Sequence, residues 1–263
     1  MTGAGVKKGS LTVVGLGIGM PGQITLESIE VMRAADQLFF LAPGLLAGLC
    51  VRDINPRAES LERFYVPGES RARIYEQIAE ALVAAVTAGK HVCAAFYGHP
   101  GVLVQASHLA IRRVRRAGYR ATMLPGVSAE ACLFADLGVN PGDRGLQSYE
   151  ATDFLLSRRR IDPTVPLLLW QVEVLGESGT AHRATPRARL EVLQKRLARH
   201  YPASHRLVEY RAGTFPGDPP YVSRFALERL SSRQFSLPGI LFVPPMPQRR
   251  VDPAVASWLR GTP

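Results

Sequence analysis

The alternation of short apolar strands with amphipathic helices is the feature that most constrains the fold of this chain. The run LTVVGLG at residues 11–17 is typical of a buried strand, and a helical pattern from Ile24 to Ala35 and a second strand at 37–42 follow it. A longer helical pattern covers residues 71–90, with Gly89 at the position of a helix C-terminal cap. Strands that alternate with helices of this length predict crossover connections and a mainly parallel sheet.

The same patterns continue to the end of the chain, although the composition changes after Pro125. The further predicted elements are strands at 92–97, 121–124, 165–172, 206–210 and 239–243 and helices at 102–117, 129–137 and about 187–199. Proline and glycine are frequent at 211–220 and 238–247, which predicts loops there. We therefore predict two α/β domains, residues 1–125 and residues 126–263.

Composition excludes several classes of protein. With 263 residues, of which 46% are hydrophobic, the chain can bury a substantial core. No apolar run reaches the roughly 18 to 20 residues that cross a bilayer, and the first apolar segment is too short and too rich in glycine for a signal peptide. We expect a cytoplasmic protein that binds no membrane. Cys50, Cys93 and Cys132 are widely spaced and lack a CxxC pair, so we expect buried thiols and neither disulfides nor zinc.

The formal net charge is +10, with arginine clusters at 112–116 and 158–160. An acidic partner is one interpretation of this charge. The other, which we favour, is that residues 110–120 form an amphipathic helix whose arginines surround Ile111 and Val114. No aromatic residues interleave these arginines in the pattern of a nucleic-acid surface, so we expect no nucleic-acid partner.

The glycines after the first strand satisfy GxGxxG at Gly17, Gly19 and Gly22. A dinucleotide site is disfavoured, because Pro21 lies inside the motif. In addition, Asp36 precedes the second strand, whereas a ribose-binding acid should lie at the end of that strand. So many glycines at a strand end still allow the backbone to approach a ligand or a neighbouring loop closely.

The segment PGVSAE at 125–130 is similar to a nucleophile elbow, but Glu130 stands where the second glycine would be. We interpret Ser128 as the N-cap of a helix whose first free N–H groups serve the helix or a ligand. The histidines never fall at HExxH spacing, so no metal centre is expected.

Four segments, taken in order, resemble the tetrapyrrole-methylase superfamily of S-adenosylmethionine-dependent (class III) methyltransferases: SLTVVGLGIG, FYGHPGV, MLPGVSAEACLFADLGVNPGD and LLLWQV. The resemblance covers almost the whole chain. FYGHPGV, GVSAEACLFADLG and SYEATDFL resemble more narrowly the borosin peptide backbone α-N-methyltransferases. The resemblance implies an α/β fold with two α/β domains of the tetrapyrrole-methylase type, a cofactor cleft between them, and S-adenosylmethionine as cofactor.

In the family, the YGHPG loop lies against the methionine and ribose part of the cofactor. Carried over to this sequence, the resemblance implies cofactor-binding roles for Tyr97, His99, Gly101, Val102, Leu103, Ser128, Ala129 and Gln171. For Val102 and Leu103 an equally good interpretation is the first turn of a buried helix. For Gln171 the cofactor role is the better interpretation, because a polar residue that ends an apolar run would otherwise need a buried hydrogen-bond partner.

The chemistry of backbone N-methylation points to RFYVPGESRARIY at 63–75. An amide nitrogen is a poor nucleophile because its lone pair is delocalised, so an enzyme must remove the N–H proton or stabilise charge on the carbonyl oxygen. Arg71 and Tyr75 lie four residues apart on one helix face, and Tyr65 precedes them. Spacing alone indicates only an exposed arginine and half-buried tyrosines. By resemblance to borosin enzymes, however, Tyr65, Arg71 and Tyr75 match a catalytic group in which one tyrosine removes or positions the proton and Arg71 stabilises the oxygen.

Fused borosin enzymes carry their substrate as a C-terminal extension, whereas no hydrophobic repeated core follows PPMPQRRVDPAVASWLRGTP at 244–263. We therefore expect a split system that modifies a separate precursor peptide. The family's intertwined dimers imply a homodimer, and the basic surface could steer an acidic leader of the precursor.

Two alternatives remain. One is a tetrapyrrole (corrin or porphyrin) C-methyltransferase, although the first loop, GLGIGMPGQIT, lacks the aspartate of the GxGPGDP-like pattern typical of those enzymes. The other is a non-catalytic peptide-binding protein with the same fold, which would not bind S-adenosylmethionine.

Overall fold

The computed structural model describes residues 8–179, 184–247 and 251–261. The described chain divides into two compact units. Unit 1 contains the residues up to Gly138 together with the segments 177–179 and 212–220, and unit 2 contains the rest. The domain boundary that the sequence predicts after residue 125 stays a prediction.

Unit 1 is built on a five-stranded sheet. Its strands are β1 (Ser10–Gly15), β2 (Gln37–Leu41), β3 (Glu59–Ser60), β4 (His91–Phe96) and β5 (Arg120–Met123). Its helices are α1 (Leu26–Ala34), α2 (Gly44–Ile54), α3 (Arg71–Thr87), α4 (Gln105–Arg116) and α5 (Ala129–Leu137). The strand order is β3-β2-β4-β1-β5, and every pairing is parallel, as the alternation of strands and helices predicts.

Both faces of this sheet are buried. Leu11 and Val13 of β1 belong to the apolar cluster that includes residues of α3 and α4, whereas Val14 belongs to a second cluster with residues of α1 and α2. The same division holds along β4, where Ala94 and Ala95 fall in different clusters. A parallel sheet covered on both faces explains why its strands are continuous apolar runs and do not alternate with polar residues.

Unit 2 contains a mixed five-stranded sheet. Its strands are β6 (Gln147–Glu150), β7 (Leu167–Trp170), β8 (Arg206–Arg211), β9 (Tyr221–Ala226) and β10 (Ile240–Val243), and its helices are α6 (Pro141–Arg144), α7 (Ala151–Leu156), α8 (Arg187–Leu197) and α9 (Pro253–Gly261). The order is β6-β7-β10-β8-β9, with only the β6–β7 pair parallel. Leu167 and Leu169 pack with Leu190 and Leu193 of α8 in a single core cluster.

The structure also settles three expectations about local sequence. The arginine-rich helix is α4, in which Ile111 and Val114 are buried while Arg112 and Arg116 are exposed, so the amphipathic interpretation is confirmed. The three cysteines are free thiols, but Cys50 is only partly buried. Among the described residues, no helix is both long and apolar enough to span a bilayer.

Candidate active site

Three loops meet at the carboxyl end of the parallel sheet in unit 1, where ligands bind in many open α/β sheets. These loops follow β1, β4 and β5. Gly17 and Gly98 form a short antiparallel bridge, in which the Gly98 N–H donates to Gly17 O at 2.9 Å and the Gly17 N–H donates to Gly98 O at 3.3 Å. The loops after the two central strands are therefore joined backbone to backbone.

The glycines at this point are required by contact between loops. A Cβ atom on Gly15 would lie 2.5 Å from Gly98 O, and 2.9 Å from both Gly126 Cα and Pro100 Cδ. Real Cβ atoms do not approach other heavy atoms this closely, so only glycine fits at position 15. By contrast, a Cβ atom on Gly22, the last glycine of the GxGxxG pattern, would have its nearest contact at 3.9 Å.

The loop that follows β4 is a tight, internally bonded turn. The Gly101 N–H donates to His99 Nδ1 at 2.9 Å, and the Val102 N–H donates to His99 O at 3.1 Å. His99 Nδ1 is therefore used as an acceptor within the loop, which leaves Nε2 as the ring nitrogen that can bond elsewhere. His108 Nε2, one turn into α4, lies 3.0 Å from Gly101 O. His99 and Gly101 are thus placed by bonds within the loop.

Val102 and Leu103 do not form the first turn of a buried helix. They are 36% and 42% exposed, Leu103 has φ of +57°, and α4 begins only at Gln105. The buried-helix interpretation of this pair is therefore wrong. Two apolar side chains presented at the surface by a rigid turn form a surface against which the apolar part of a ligand can pack.

Tyr97 directly follows β4 and lies beside a contact that sequence reasoning missed. Burial, reinforced by nearby Cys132, raises the pKa of the Tyr97 phenol to about 12, so the hydroxyl is a neutral donor near neutral pH. Gln23 Oε1 accepts the N–H groups of Ile18 and Gly19 at 2.9 Å, while Gln23 Nε2 donates to Cys132 Sγ at 3.4 Å. Gln23 thus fixes the loop after β1 to α5.

Ser128 caps α5, as the sequence predicts. Its Oγ accepts the Ala131 N–H at 3.2 Å, and Ala129 opens the nine-residue helix. Both residues are partly exposed. The first amides of this helix and its positive dipole end favour a negatively charged or oxygen-rich ligand group.

Tyr65, Arg71 and Tyr75 come together within unit 1. Tyr65, which is 37% exposed, follows a 3₁₀ turn at Leu61–Phe64. Burial, and then the phenol of Tyr75, raise the pKa of Tyr65 to about 12, while the Arg71 guanidinium acts to lower it. The three side chains are therefore within electrostatic range of one another, with one permanent cation beside two phenols.

The start of α3 holds this group in place. Ser70 is its N-cap and pairs in an antiparallel bridge with Gly179, and the Arg71 N–H donates to Ser178 O at 3.0 Å. Tyr75, one turn later, packs against the core cluster beneath the sheet. The segment 177–179, more than a hundred residues away in sequence, therefore fixes the backbone of Arg71.

Gln171 belongs to unit 2. It follows β7 with φ of +59°, a left-handed conformation that non-glycine residues rarely adopt. Its side chain is partly buried and makes no hydrogen bond with any residue in the described part of the chain. Its amide is thus available to a ligand.

Residues 10–223 match the family described as Tetrapyrrole (Corrin/Porphyrin) Methylases. This chain belongs to that family. Members of the tetrapyrrole methylase family use S-adenosylmethionine as methyl donor. The fold agrees, since the crystal structure of uroporphyrin-III-C-methyltransferase from Thermus thermophilus superimposes with a TM-score of 0.63 at 21% identity, covering 90% of this chain and 92% of that one.

Curated relatives from fungi are more similar in sequence. The chain is 34% identical over 261 residues to the methyltransferase/ribosomally synthesized cyclic peptide dendrothelin A precursor of Dendrothele bispora, covering 98% of this chain and 63% of that protein. It is 38% identical over 229 residues to the corresponding omphalotin A precursor of Omphalotus olearius, covering 87% of this chain and 55% of that protein. The chain thus spans about three fifths of the length of the relatives that it matches.

The unit 1 residues have the chemistry that the family's donor needs. S-adenosylmethionine carries an apolar methylene chain, ribose hydroxyls, a carboxylate and a sulfonium. The exposed Val102 and Leu103, the neutral Tyr97 hydroxyl and the first amides of α5 behind Ser128 offer complementary groups to the first three of these.

Proposed function

We propose that this chain is an S-adenosylmethionine-dependent methyltransferase that N-methylates backbone amides of a ribosomally made peptide. The observation that carries the proposal is the group formed by Tyr65, Arg71 and Tyr75, a permanent cation beside two phenols. It is supported by identities of 34% and 38% to proteins named as methyltransferases and cyclic peptide precursors.

The donor supplies a methyl group on a sulfonium, which is already electrophilic. In this proposal its amino-acid and ribose part is held by residues of unit 1, namely the loop Tyr97–Leu103 and Ser128 and Ala129 at the start of α5. The cofactor role of Gln171, in unit 2, stays a prediction. Internal hydrogen bonds fix the backbone of residues 99–102 before binding, so that this loop loses little conformational entropy on binding.

The acceptor amide presents the harder chemical problem. Its nitrogen becomes nucleophilic only as the N–H proton leaves and negative charge moves to the carbonyl oxygen. Arg71 remains cationic at any physiological pH, and its planar donor fork suits a developing oxyanion. We assign to Arg71 the stabilisation of that oxygen, a type of interaction for which removing one donor costs roughly 10²- to 10³-fold in kcat.

The two tyrosines receive different roles. With a pKa of about 12, Tyr65 keeps its proton near neutral pH and donates a hydrogen bond to the peptide carbonyl, alongside Arg71. Proton removal from the amide nitrogen is then assigned to Tyr75, whose ring is held against the core. The Tyr75 phenolate takes this proton and becomes the neutral phenol, and Arg71 stabilises the phenolate before the transfer.

The proposal extends to a homodimer that acts on a separate precursor peptide in the cytoplasm. Its support is the resemblance to borosin enzymes, and the arrangement is testable because the peptide can be added as an independent molecule. Sedimentation of the purified chain gives the oligomeric state directly.

The test of function is mass spectrometry. The purified chain is incubated with S-adenosylmethionine and apolar peptides, including peptides encoded beside it, and fragmentation locates each added methyl group. Methyl groups on backbone nitrogen support the proposal. Methylation of uroporphyrinogen III, supplied in a parallel reaction, with all peptides unmodified would favour tetrapyrrole C-methylation and overturn it.

A further inference from the structure

A basic groove lies between α7 and α8 in unit 2, outside the residues assigned to methyl transfer. Its volume is about 520 Å³, within the range of small-ligand sites. It is lined by two aliphatic and four cationic side chains, namely Leu155, Val192, Arg158, Lys195, Arg196 and Arg199. No acidic residue is part of this lining.

The cations of the groove are not neutralised within the protein. Among the described residues, no acidic side chain pairs with Arg158, Lys195 or Arg199. The nearby ion pairs of this unit use other arginines, since Arg159 pairs with Asp153 and Arg187 with Glu191. Exposed arginines and lysines usually lie among acids, so a groove with four uncompensated cations attracts anionic groups.

The side chain of Arg196 is held in place in the lining of the groove. Its guanidinium lies 5.7 Å from the centre of the buried Phe154 ring, and Nη2 donates to Arg159 O at 2.5 Å. Its Nε is buried without a hydrogen-bond partner in the described part of the chain. Burial, together with Arg196 and Arg199, lowers the pKa of nearby His200, as expected where positive charge is concentrated.

The aliphatic residues indicate the class of ligand. Val192 is 55% exposed, and with Lys195, Arg196 and Arg199 it follows the i, i+3, i+4, i+7 spacing of one helix face. No aromatic side chain lines the groove, so it lacks the stacking surface that single-stranded nucleic acids use. A peptide in which acidic residues flank an aliphatic one matches both the charges and the apolar contacts.

We propose that this groove binds an acidic segment of the peptide substrate that contains an aliphatic residue, and so anchors the peptide outside its methylated residues. The identity of the ligand as the substrate rests on the proposed function. The groove's preference for acidic peptides rests on its lining alone. This preference and the identity of the ligand as the substrate are tested separately.

The first test measures binding without methyl transfer. A short fluorescein-labelled peptide of alternating glutamate and leucine is titrated with the full-length chain and followed by anisotropy. The double variant Lys195→Glu/Arg199→Glu is expected to raise its Kd at least about tenfold, because like charges across an interface repel strongly. The milder Lys195→Gln/Arg199→Gln variant is expected to weaken binding less, and circular dichroism checks that both variants are folded.

A matched control distinguishes binding in the groove from attraction by the net charge of the protein. Arg112→Glu/Arg116→Glu on α4 changes two exposed arginines at the same spacing by the same total charge. This control should change Kd less than about threefold, because it changes the net charge by the same amount without altering any residue that lines the groove. An equal loss of affinity in the control variant, or no loss of affinity in the groove variant, would refute binding of the peptide in the groove. Tighter binding of a peptide in which glutamine replaces every glutamate would also refute it. So would displacement of the labelled peptide by a single-stranded oligonucleotide that binds more tightly.

The second test uses turnover. An accepted substrate peptide is compared with the same peptide extended by the acidic segment. We expect a lower KM for the extended peptide with the unaltered chain, and loss of that advantage in Lys195→Glu/Arg199→Glu with kcat unchanged. Equal KM values for both peptides with the unaltered chain would disprove anchoring of the substrate while leaving the proposed methyl transfer intact.

Discussion

Replacing Gly15 by alanine tests whether contact between loops, and not a dinucleotide-type motif, is the reason for the glycines after β1. Position 15 joins β1 to the loops that follow β4 and β5. Gly22 provides the matched control, because it lies in the same loop and completes the GxGxxG pattern but has free space around it. The two substitutions add the same methyl group in different surroundings.

The expected magnitudes follow from the contacts. At position 15 the new Cβ would have three atoms within 3.0 Å, two of them backbone atoms that cannot rotate away. Overpacking of a rigid site costs about 1 to 3 kcal/mol, and these contacts place Gly15→Ala near about 3 kcal/mol. At about 2 to 4 °C per kcal/mol for a protein of this size, Tm falls by about 6 to 12 °C. Gly22→Ala should change stability by less than about 0.5 kcal/mol.

Differential scanning calorimetry gives Tm for both variants. Titration with S-adenosylhomocysteine gives the affinity of each variant for this ligand and so shows whether the loops still bind it. We expect Gly15→Ala to lose at least about tenfold in affinity, equivalent to about 1.4 kcal/mol, and Gly22→Ala to bind like the unaltered chain. Contact between loops is not the reason for the glycine at position 15 if Gly15→Ala melts within about 1 °C of the unaltered chain or if Gly22→Ala lowers Tm equally.

Three further predictions concern the candidate site. Arg71→Ala should lower kcat by about 10²- to 10³-fold, while calorimetry finds S-adenosylhomocysteine affinity unchanged; a comparable loss of affinity would place Arg71 in donor binding instead. Tyr65 has a pKa of about 12, so it stays protonated as pH rises from about 7 to 9.5, and Tyr65→Phe should lower the rate while keeping the shape of the pH–rate profile. If Tyr65 were the base, Tyr65→Phe would lose the dependence of rate on pH that ionisation of the base gives the unaltered chain. Ser128→Ala and Thr25→Ala each remove a helix cap and should each cost about 1 kcal/mol in denaturant unfolding, but only Ser128→Ala should weaken binding of S-adenosylhomocysteine.

Elements with strong local signals could be predicted from the sequence. The continuous apolar run of β4 and the regular spacing of Ile74, Ile78 and Leu82 in α3 come from burial in a covered parallel sheet. Ser128 caps α5 because a hydroxyl followed by a helical pattern satisfies the first free amides locally. In each case, residues close in sequence are sufficient to define the structure.

Other elements have weak local signals. Helix α2 begins after Pro43 without a side-chain cap, and its Leu45 and Leu46 are exposed, so no regular apolar face marks it in the sequence. The late start of α4 depends on buried Ser107, whose Oγ lies 2.5 Å from Pro100 O, and on the left-handed backbone of Leu103. Apolar residues at 102 and 103 gave no sign of that conformation.

The candidate site depends on contacts between residues far apart in sequence. Gln23 reaches Cys132 across 109 positions, and Ser178 holds the backbone of Arg71. A single sequence contains no local trace of either contact. The resemblance to a known family identified Arg71 and Tyr65 as candidates, whereas Gln23 and the segment 177–179 became visible only in the folded chain.

The central claim is that Arg71 promotes methyl transfer to a peptide nitrogen. The most direct measurement is a single-turnover reaction of a substrate peptide with donor-saturated chain, analysed by fragmentation mass spectrometry for the unaltered protein and for Arg71→Ala. We predict backbone N-methylation that slows by about 10²- to 10³-fold in the variant. Equal single-turnover rates for the two proteins would show that Arg71 does not promote the transfer, and methyl groups found only on side chains would show that the acceptor is not the peptide nitrogen.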